Sequence, residues 1–165
     1  MSTPSHGTRP LSDAALRVQD ALRAAGFTNT VLELAEPVKT AQAAADAVGC
    51  SVAQIVKSLV FRGETSGRAL LVVASGARRV DTERLAVLAG ESVAMGDPRF
   101  VRAATGFAIG GIPPLGHAQP LTVFVDSSLL ALDSLWAAAG HPNSLFPLTP
   151  DELCRMTGGR VADVT

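Results

Sequence analysis

The chain has 165 residues, of which 47% are hydrophobic and 18% charged, and its formal net charge is −1. That length suits one domain with a sizeable core, and that balance belongs to a globular chain, not a disordered one. The near-zero charge gives no global basic field, so general DNA binding is excluded and any RNA contact is local, at a terminus or a few phosphates.

Met1 to Pro10 is rich in Ser, Thr, Pro and His and has no apolar core, so it reads as a disordered lead-in (1–10) and not a signal peptide. Residues 11–165 read as a single domain. Ser12 caps a helix to about Ala25, closed by Gly26. Thr30 to Leu34 is a short strand, and Thr40 to Val48 an alanine-rich helix stopped by Gly49. Ser51 caps one more turn. It leads into Ile55-Val56-Lys57-Ser58-Leu59-Val60-Phe61, an apolar strand with one charge inside it. A five-residue hairpin loop, Gly63 to Gly67, returns the chain along Leu70 to Ala74.

Asp81 or Thr82 starts a helix to Gly90, and Ser92 to Met95 is a short strand. Asp97-Pro98 starts a helix that Gly106 ends. Phe107 to Ile109 is read as extended, Leu121 to Val125 as a strand closed by Asp126, and Ser127 to Leu132 as a helical turn. Leu135 to Ala139 is read as a strand, followed by a turn at Gly140 to Asn143 and a strand at Leu145 to Leu148. Thr149-Pro150-Asp151-Glu152 is a capping box with proline at the first position, and its helix runs to Met156. Val161 to Val164 is a final strand. The tally is an α+β fold: a mixed sheet of about seven strands, curled into a partly closed barrel and flanked by helices.

No run approaches the roughly 20 apolar residues that span a bilayer, so no membrane segment is expected. Cys50 and Cys154 belong to no C-x-x-C or Cys/His cluster, which argues against a zinc site and a disulfide framework, and free thiols fit the cytoplasm. Cys50 is either a low-pKa thiol at a helix start or an inert buried one.

Lys57 has two readings. It deters aggregation as an edge-strand charge, or it points into a cleft to meet an anion. The run Gly110-Gly111-Ile112-Pro113-Pro114-Leu115-Gly116-His117 lets backbone approach a ligand closely, or is a tight crossover. It is no phosphate fingerprint, having neither G-x-G-x-x-G nor G-x-x-x-x-G-K-[ST]. His117 is a ligand contact, a general base or simply a satisfied histidine. His141 and Asn143 line a mouth or form a turn. Asp126 projects into a cleft or caps the next turn. Ser75, Ser127 and Ser128 lack a G-x-S-x-G context. Arg78, Arg79, Arg99 and Arg102 are phosphate contacts or a solvated face, and Trp136 is core.

Taken in order, Ile55 to Phe61, Val72-Val73-Ala74-Ser75-Gly76, Gly106 through the Gly110 to His117 loop, the V-F-V-D strand and Ala138-Ala139-Gly140 resemble the YbaK/prolyl-tRNA synthetase-associated domain. The likeness runs from about Leu22 to Val164. It implies a free-standing editing enzyme that deacylates mischarged aminoacyl-tRNA without metal or other cofactor. Its partner is the tRNA acceptor end, with a synthetase as a further candidate. It implies a catalytic set of Lys57, which meets the RNA end, and Gly110 and Gly111, which hold the aminoacyl group through main-chain atoms. Ile112, Pro113, His117, Asp126, His141 and Asn143 make up the substrate-binding set. Cysteine-editing members carry a serine and an acidic residue where this chain has Ala138, Ala139, His141, Asn143 and Leu145, which sets it apart from that specificity. The residues alone leave a second reading: a non-catalytic module that holds tRNA ends or a small ligand, or joins a synthetase complex.

Overall fold

A computed structural model of the chain describes residues 7–165. Within them the chain forms β1 (Thr8–Arg9), α1 (Asp13–Ala24), β2 (Leu32–Leu34), α2 (Ala41–Val48), β3 (Ile55–Gly63), β4 (Ala69–Ser75), α3 (Thr82–Ala89) and β5 (Val93–Met95). There follow α4 (Pro98–Thr105), β6 (Thr122–Asp126), β7 (Leu135–Ala138), β8 (Ser144–Leu148), α5 (Pro150–Thr157) and β9 (Arg160–Ala162). Short 3-10 turns lie at Val52–Gln54 and Ser127–Ala131. The mixed α/β architecture is the one expected, with nine strands among the described residues instead of about seven. Phe107 to Ile109 is not a strand.

The helix ends follow their local chemistry. The side chains of Ser12, Thr40, Asp81, Asp97 and Thr149 each accept a backbone N–H of the first turn, and the Thr149–Glu152 box closes in both directions.

The strands form one mostly open sheet in the order β1-β2-β8-β7-β3-β4-β6-β9, with β5 added on β3. β3 is its axis. It runs antiparallel to β4 from Val56–Ser75 to Arg62–Ala69, parallel to β7 only at Ile55–Trp136 and Val56–Ala137, and antiparallel to β5 only at residues 61–63. Successive side chains of a strand face opposite ways. Val56 and Val60 therefore join the large cluster made with α1, α4, α5, Phe107 and Ile112. Ile55 joins α2, Trp136 and Leu145, and Phe61 joins Leu85 of α3 with Leu70, Val72 and Phe124. Lys57 shares this second face and stands in the seam between its two clusters. Trp136 is core, as read from the sequence.

The expectation of disorder over residues 1–10 is corrected in part. Residues 1–6 lie outside the described residues, but Thr8 and Arg9 pair with Leu34 and Glu33. The reason is Glu33, 2% exposed. Its carboxylate accepts from Arg9 Nε at 2.7 Å, Ser12 N–H at 2.9 Å and Ser144 Oγ at 2.8 Å. Burial opposes that charge, yet these donors outweigh it and lower the Glu33 carboxyl from 4.5 to about 2. A carboxyl with a lowered folded pKa stabilises above its unfolded value, and that stability is lost as pH falls from about 4.5 toward 2. Glu33→Gln is expected to cost roughly 1.5–3 kcal/mol, the worth of hydrogen bonds to a charged group. Urea titrations at pH 7 and pH 3 check this, since the gap between parent and variant narrows at the lower pH.

Candidate functional site

β7 and β5 meet the same edge of β3 at its two ends and leave the middle uncovered. A cavity of about 480 Å³ opens there, lined by residues 55–60 of β3, Val38 to Ala41 and Ala44 at the start of α2, Met95 at the end of β5 with Gly96 after it, and Val101 of α4. Ile109, Gly110 and Ile112 of the glycine loop and Ala138, Pro142 and Leu145 around the β7–β8 turn complete it. Lys57 and Lys39 are the ionisable side chains of this lining, and the rest is mostly apolar. The exposed apolar side chains of Met95 and Ile109, 59% and 51% accessible, stand at the cleft.

Lys57 is half-buried, and the ion pairs of the described residues join other partners: Arg9–Glu33, Arg68–Glu91, Arg84–Asp81 and Arg155–Asp151. Burial, and secondly the charge of Arg79, lower its pKa from 10.5. The ammonium thus sits where burial disfavours a cation and, among the described residues, no carboxylate pairs with it, which is the electrostatic setting for an anionic ligand. Of the basic residues singled out in the sequence, Arg79 is the one whose charge acts on Lys57.

The glycine loop divides in two. Gly110, exposed and at φ 91°, lines the cleft. Gly111 is buried and its main chain is committed: its N–H donates to Ala108 O at 3.1 Å, and its carbonyl accepts Gly140 N–H at 2.7 Å. A Cβ on Gly111 would lie 2.7 Å from Gly140 O and 2.9 Å from His141 N. Gly111 thus does not line the cleft beside Gly110, and both of its main-chain groups have partners inside the protein. It is the point at which loop and β7–β8 turn are pressed together, where a side chain does not fit.

Ile112 lines the cleft. Pro113 is buried behind it and gives its carbonyl to His117 Nε2 at 2.7 Å. His117 faces a different groove, of about 440 Å³, with Pro114 to Leu121, Val123, Met156 and Thr157. Burial lowers its pKa below the usual imidazole value, against the pull of the Pro113 carbonyl. His141 accepts Asn143 N–H on Nδ1 at 3.1 Å, so it shapes its own turn. Asn143 is buried, and its Oδ1 accepts Val38 N–H at 3.3 Å. It positions the Val38 wall from behind without lining the cleft. Asn143→Ala is expected to cost about 1–3 kcal/mol by leaving a buried donor unpaired. Thermal melts would register this as a lower midpoint.

Asp126 is also removed from the cleft. It is 1% exposed and accepts from Val164 N–H at 3.0 Å, Thr165 Oγ1 at 3.2 Å and the Ser128 hydroxyl and N–H. Burial opposes its charge, but these bonds hold its carboxyl below the usual range. It pins residues 164–165 and the turn after β6. Ser75 bonds Ala53 O, Ser127 bonds Asp163, and neither lines the cleft. Burial pushes both thiols up, with Asp151 adding to the rise at Cys154, which selects the inert reading of Cys50.

The sequence reading missed Ser58, Lys39, Met95 and the Val38 to Ala41 wall. The alternation along β3 carried a signal for Ser58: a small polar residue beside Lys57 inside an apolar run.

Known proteins with this sequence pattern and fold converge. Residues 35–156 match the model of the aminoacyl-tRNA editing domain. The chain is 35% identical over 133 residues to the uncharacterized protein YwhH of Bacillus subtilis (strain 168), covering 81% of this chain and 84% of that protein. It is 25% identical over 127 residues to a protein of Enterococcus faecalis named "Putative Cys-tRNA(Pro)/Cys-tRNA(Cys) deacylase EbsC", covering 76% and 77%. A crystal structure described as that of "a putative trans-editing enzyme for prolyl tRNA synthetase" superposes with a TM-score of 0.90 at 48% identity, over 94% of this chain and 99% of that one.

Proposed function

The chain belongs to the aminoacyl-tRNA editing domain family, and from that membership we propose that it hydrolyses the ester of a mischarged aminoacyl-tRNA in trans. The observation that carries the reading is the unpaired, half-buried Lys57 ammonium at a cleft the size of a small ligand. The cation meets a phosphate of the tRNA 3′ end and holds the ester in register with the cleft. Gly110 supports the same end with exposed main chain, and the apolar lining suits a small uncharged side chain.

Water adds to the ester carbonyl carbon, the bond from that carbon to the ribose oxygen breaks, and the ribose oxygen leaves with a proton. The products are free amino acid and deacylated tRNA. No histidine, aspartate or glutamate lines the cleft among the described residues. The reading therefore assigns the protein positioning and charge placement, with the vicinal ribose hydroxyl as the nearest group to relay the proton. The need for such a site is physical. A synthetase pocket gains only about 1–3 kcal/mol per methylene, so small amino acids are misselected and a second site must remove them. The same reading makes a synthetase the source of the substrate and a candidate partner, and the cytoplasm the place of action.

A panel of purified mischarged tRNAs tests it. Release of amino acid above the buffer rate from at least one of them supports the reading. Binding of the panel without turnover favours a non-catalytic module, and neither binding nor turnover ends both.

A further inference from the structure

Gly111 has main-chain partners inside the protein, whereas the pairing of β3 leaves main-chain groups at the cleft without a strand partner. Gly76 N–H donates to Ile55 O at 2.7 Å, and Gly63 N–H to Arg68 O at 2.9 Å. Odd-numbered residues of β3 therefore bond toward β4, and even-numbered ones turn N–H and C=O to the opposite edge. On that edge Val56 meets Ala137 of β7, Val60 O accepts Gly96 N–H at 2.9 Å, and Arg62 pairs with Ala94 of β5. Ser58 stands between them. The β7 ladder stops at Val56–Ala137, and the β5 register carried back to Ser58 reaches Pro98, which has no N–H. Neither ladder thus reaches Ser58 on this edge, and Ser58 lines the cleft.

We propose that Ser58 binds the aminoacyl group through its main chain: its N–H donates to the ester carbonyl oxygen, and its C=O accepts from the α-ammonium. This rests on the editing reading. An α-aminoacyl group carries a donor nitrogen and an acceptor carbonyl on either side of one carbon, as each residue of a strand does. It completes the interrupted edge as a one-residue strand. The Ser58 N–H is fixed before the reaction and gains strength as negative charge develops on the carbonyl oxygen. Neighbouring strand residues project to opposite faces, so Lys57 does not act as a base for the Ser58 hydroxyl. The two residues act on one substrate as side chain and main chain.

Two arms test this with the full chain. In the first, the Lys57–Ser58 peptide bond is replaced by an ester through the α-hydroxy analogue of serine, which removes only that N–H. In the second, the unmodified protein is given RNA minihelices esterified with alanine, cysteine or propionate, rates being divided by those in buffer. The expected result is a fall in kcat/KM of about 100-fold in the first arm, with the unfolding midpoint reporting that the variant is folded. In the second, the propionyl ester, which lacks the ammonium, is cleaved about 10- to 150-fold less efficiently than the alanyl ester. The second arm needs no variant and stands if the first fails to fold. Indifference to the missing ammonium, or to the missing N–H in a folded variant, overturns the Ser58 assignment while leaving the editing reading intact. Turnover above buffer of none of the three esters and of no member of the mischarged-tRNA panel overturns the editing reading and this inference with it.

Discussion

Lys57→Met is expected to lower kcat/KM for a mischarged tRNA by about 10- to 150-fold, the range that corresponds to 1.5–3 kcal/mol for hydrogen bonds to a charged group. The substitution keeps an unbranched stem of similar reach and removes the ammonium. It is not expected to lower the unfolding midpoint, because no carboxylate among the described residues pairs with that charge and burial already disfavours it. The linkage has a definite sign. A lysine whose folded pKa is lowered detracts from stability while protonated, and that loss is recovered as pH rises from its folded value toward 10.5. The activity runs the other way, since the ammonium is the form that meets a phosphate. In the parent, kcat/KM corrected for spontaneous hydrolysis falls on the alkaline side as stability rises, and Lys57→Met shows neither change. Steady-state kinetics and melts over the alkaline range measure both. A variant as active as the parent would remove Lys57 from the site.

Gly111→Ala is expected to damage fold and function together. The new methyl lies 2.7 Å from Gly140 O and 2.8 Å from Gly140 C, both backbone atoms that no rotamer change relieves. Either loop or turn must move, and the 2.7 Å bond from Gly140 N–H to Gly111 O is strained or lost. Gly140 has little room to yield, since its own position lies tight against Ala14 O. Overpacking costs about 1–3 kcal/mol and a lost hydrogen bond about 1 more. For a chain of this size the midpoint should drop by roughly 5–15 °C. Because Ile112 and Pro142 line the cleft on either side of this contact, deacylation should fall even at temperatures where the variant is folded. Differential scanning calorimetry beside the kinetic assay separates the two effects. Gly110→Ala is the useful contrast: its Cβ meets only Pro142 Cγ at 3.7 Å, so its cost comes from the positive φ.

What the sequence disclosed, it disclosed through local rules. The Thr149 to Glu152 box, the Asp97-Pro98 start and the glycine stops at Gly49, Gly90, Gly106 and Gly158 are written within a few residues, and they set the helices where the structure has them. The apolar runs around Lys57 and Leu70 likewise identify the central hairpin. What was hidden depends on partners far along the chain. β1 is two residues held by Glu33, itself tied to Ser144. Asp126 looks like any polar residue at a strand end until Val164 and Thr165 are seen to close on it. Gly110 and Gly111 are adjacent and alike in sequence, and only the approach of Gly140 tells them apart. The cleft itself is a place where pairing stops, and no residue type announces where two distant strands fail to reach.

That interruption also bears on how the molecule acquires its shape. β3 takes its first partner from a short loop away, at residues 69–75, its second from 93–95, and its third from 135–138. The hairpin and β5 close early because the loop entropy is small, and β7 must be brought back across a long stretch of chain. During synthesis from the N-terminus, a nascent chain that has not yet emerged past Leu135 possesses Lys57 and its hairpin but only one bank of the cleft. Until Trp136 and Ala137 pair with Ile55 and Val56, the cleft that Ala138, Pro142 and Leu145 help to line is incomplete.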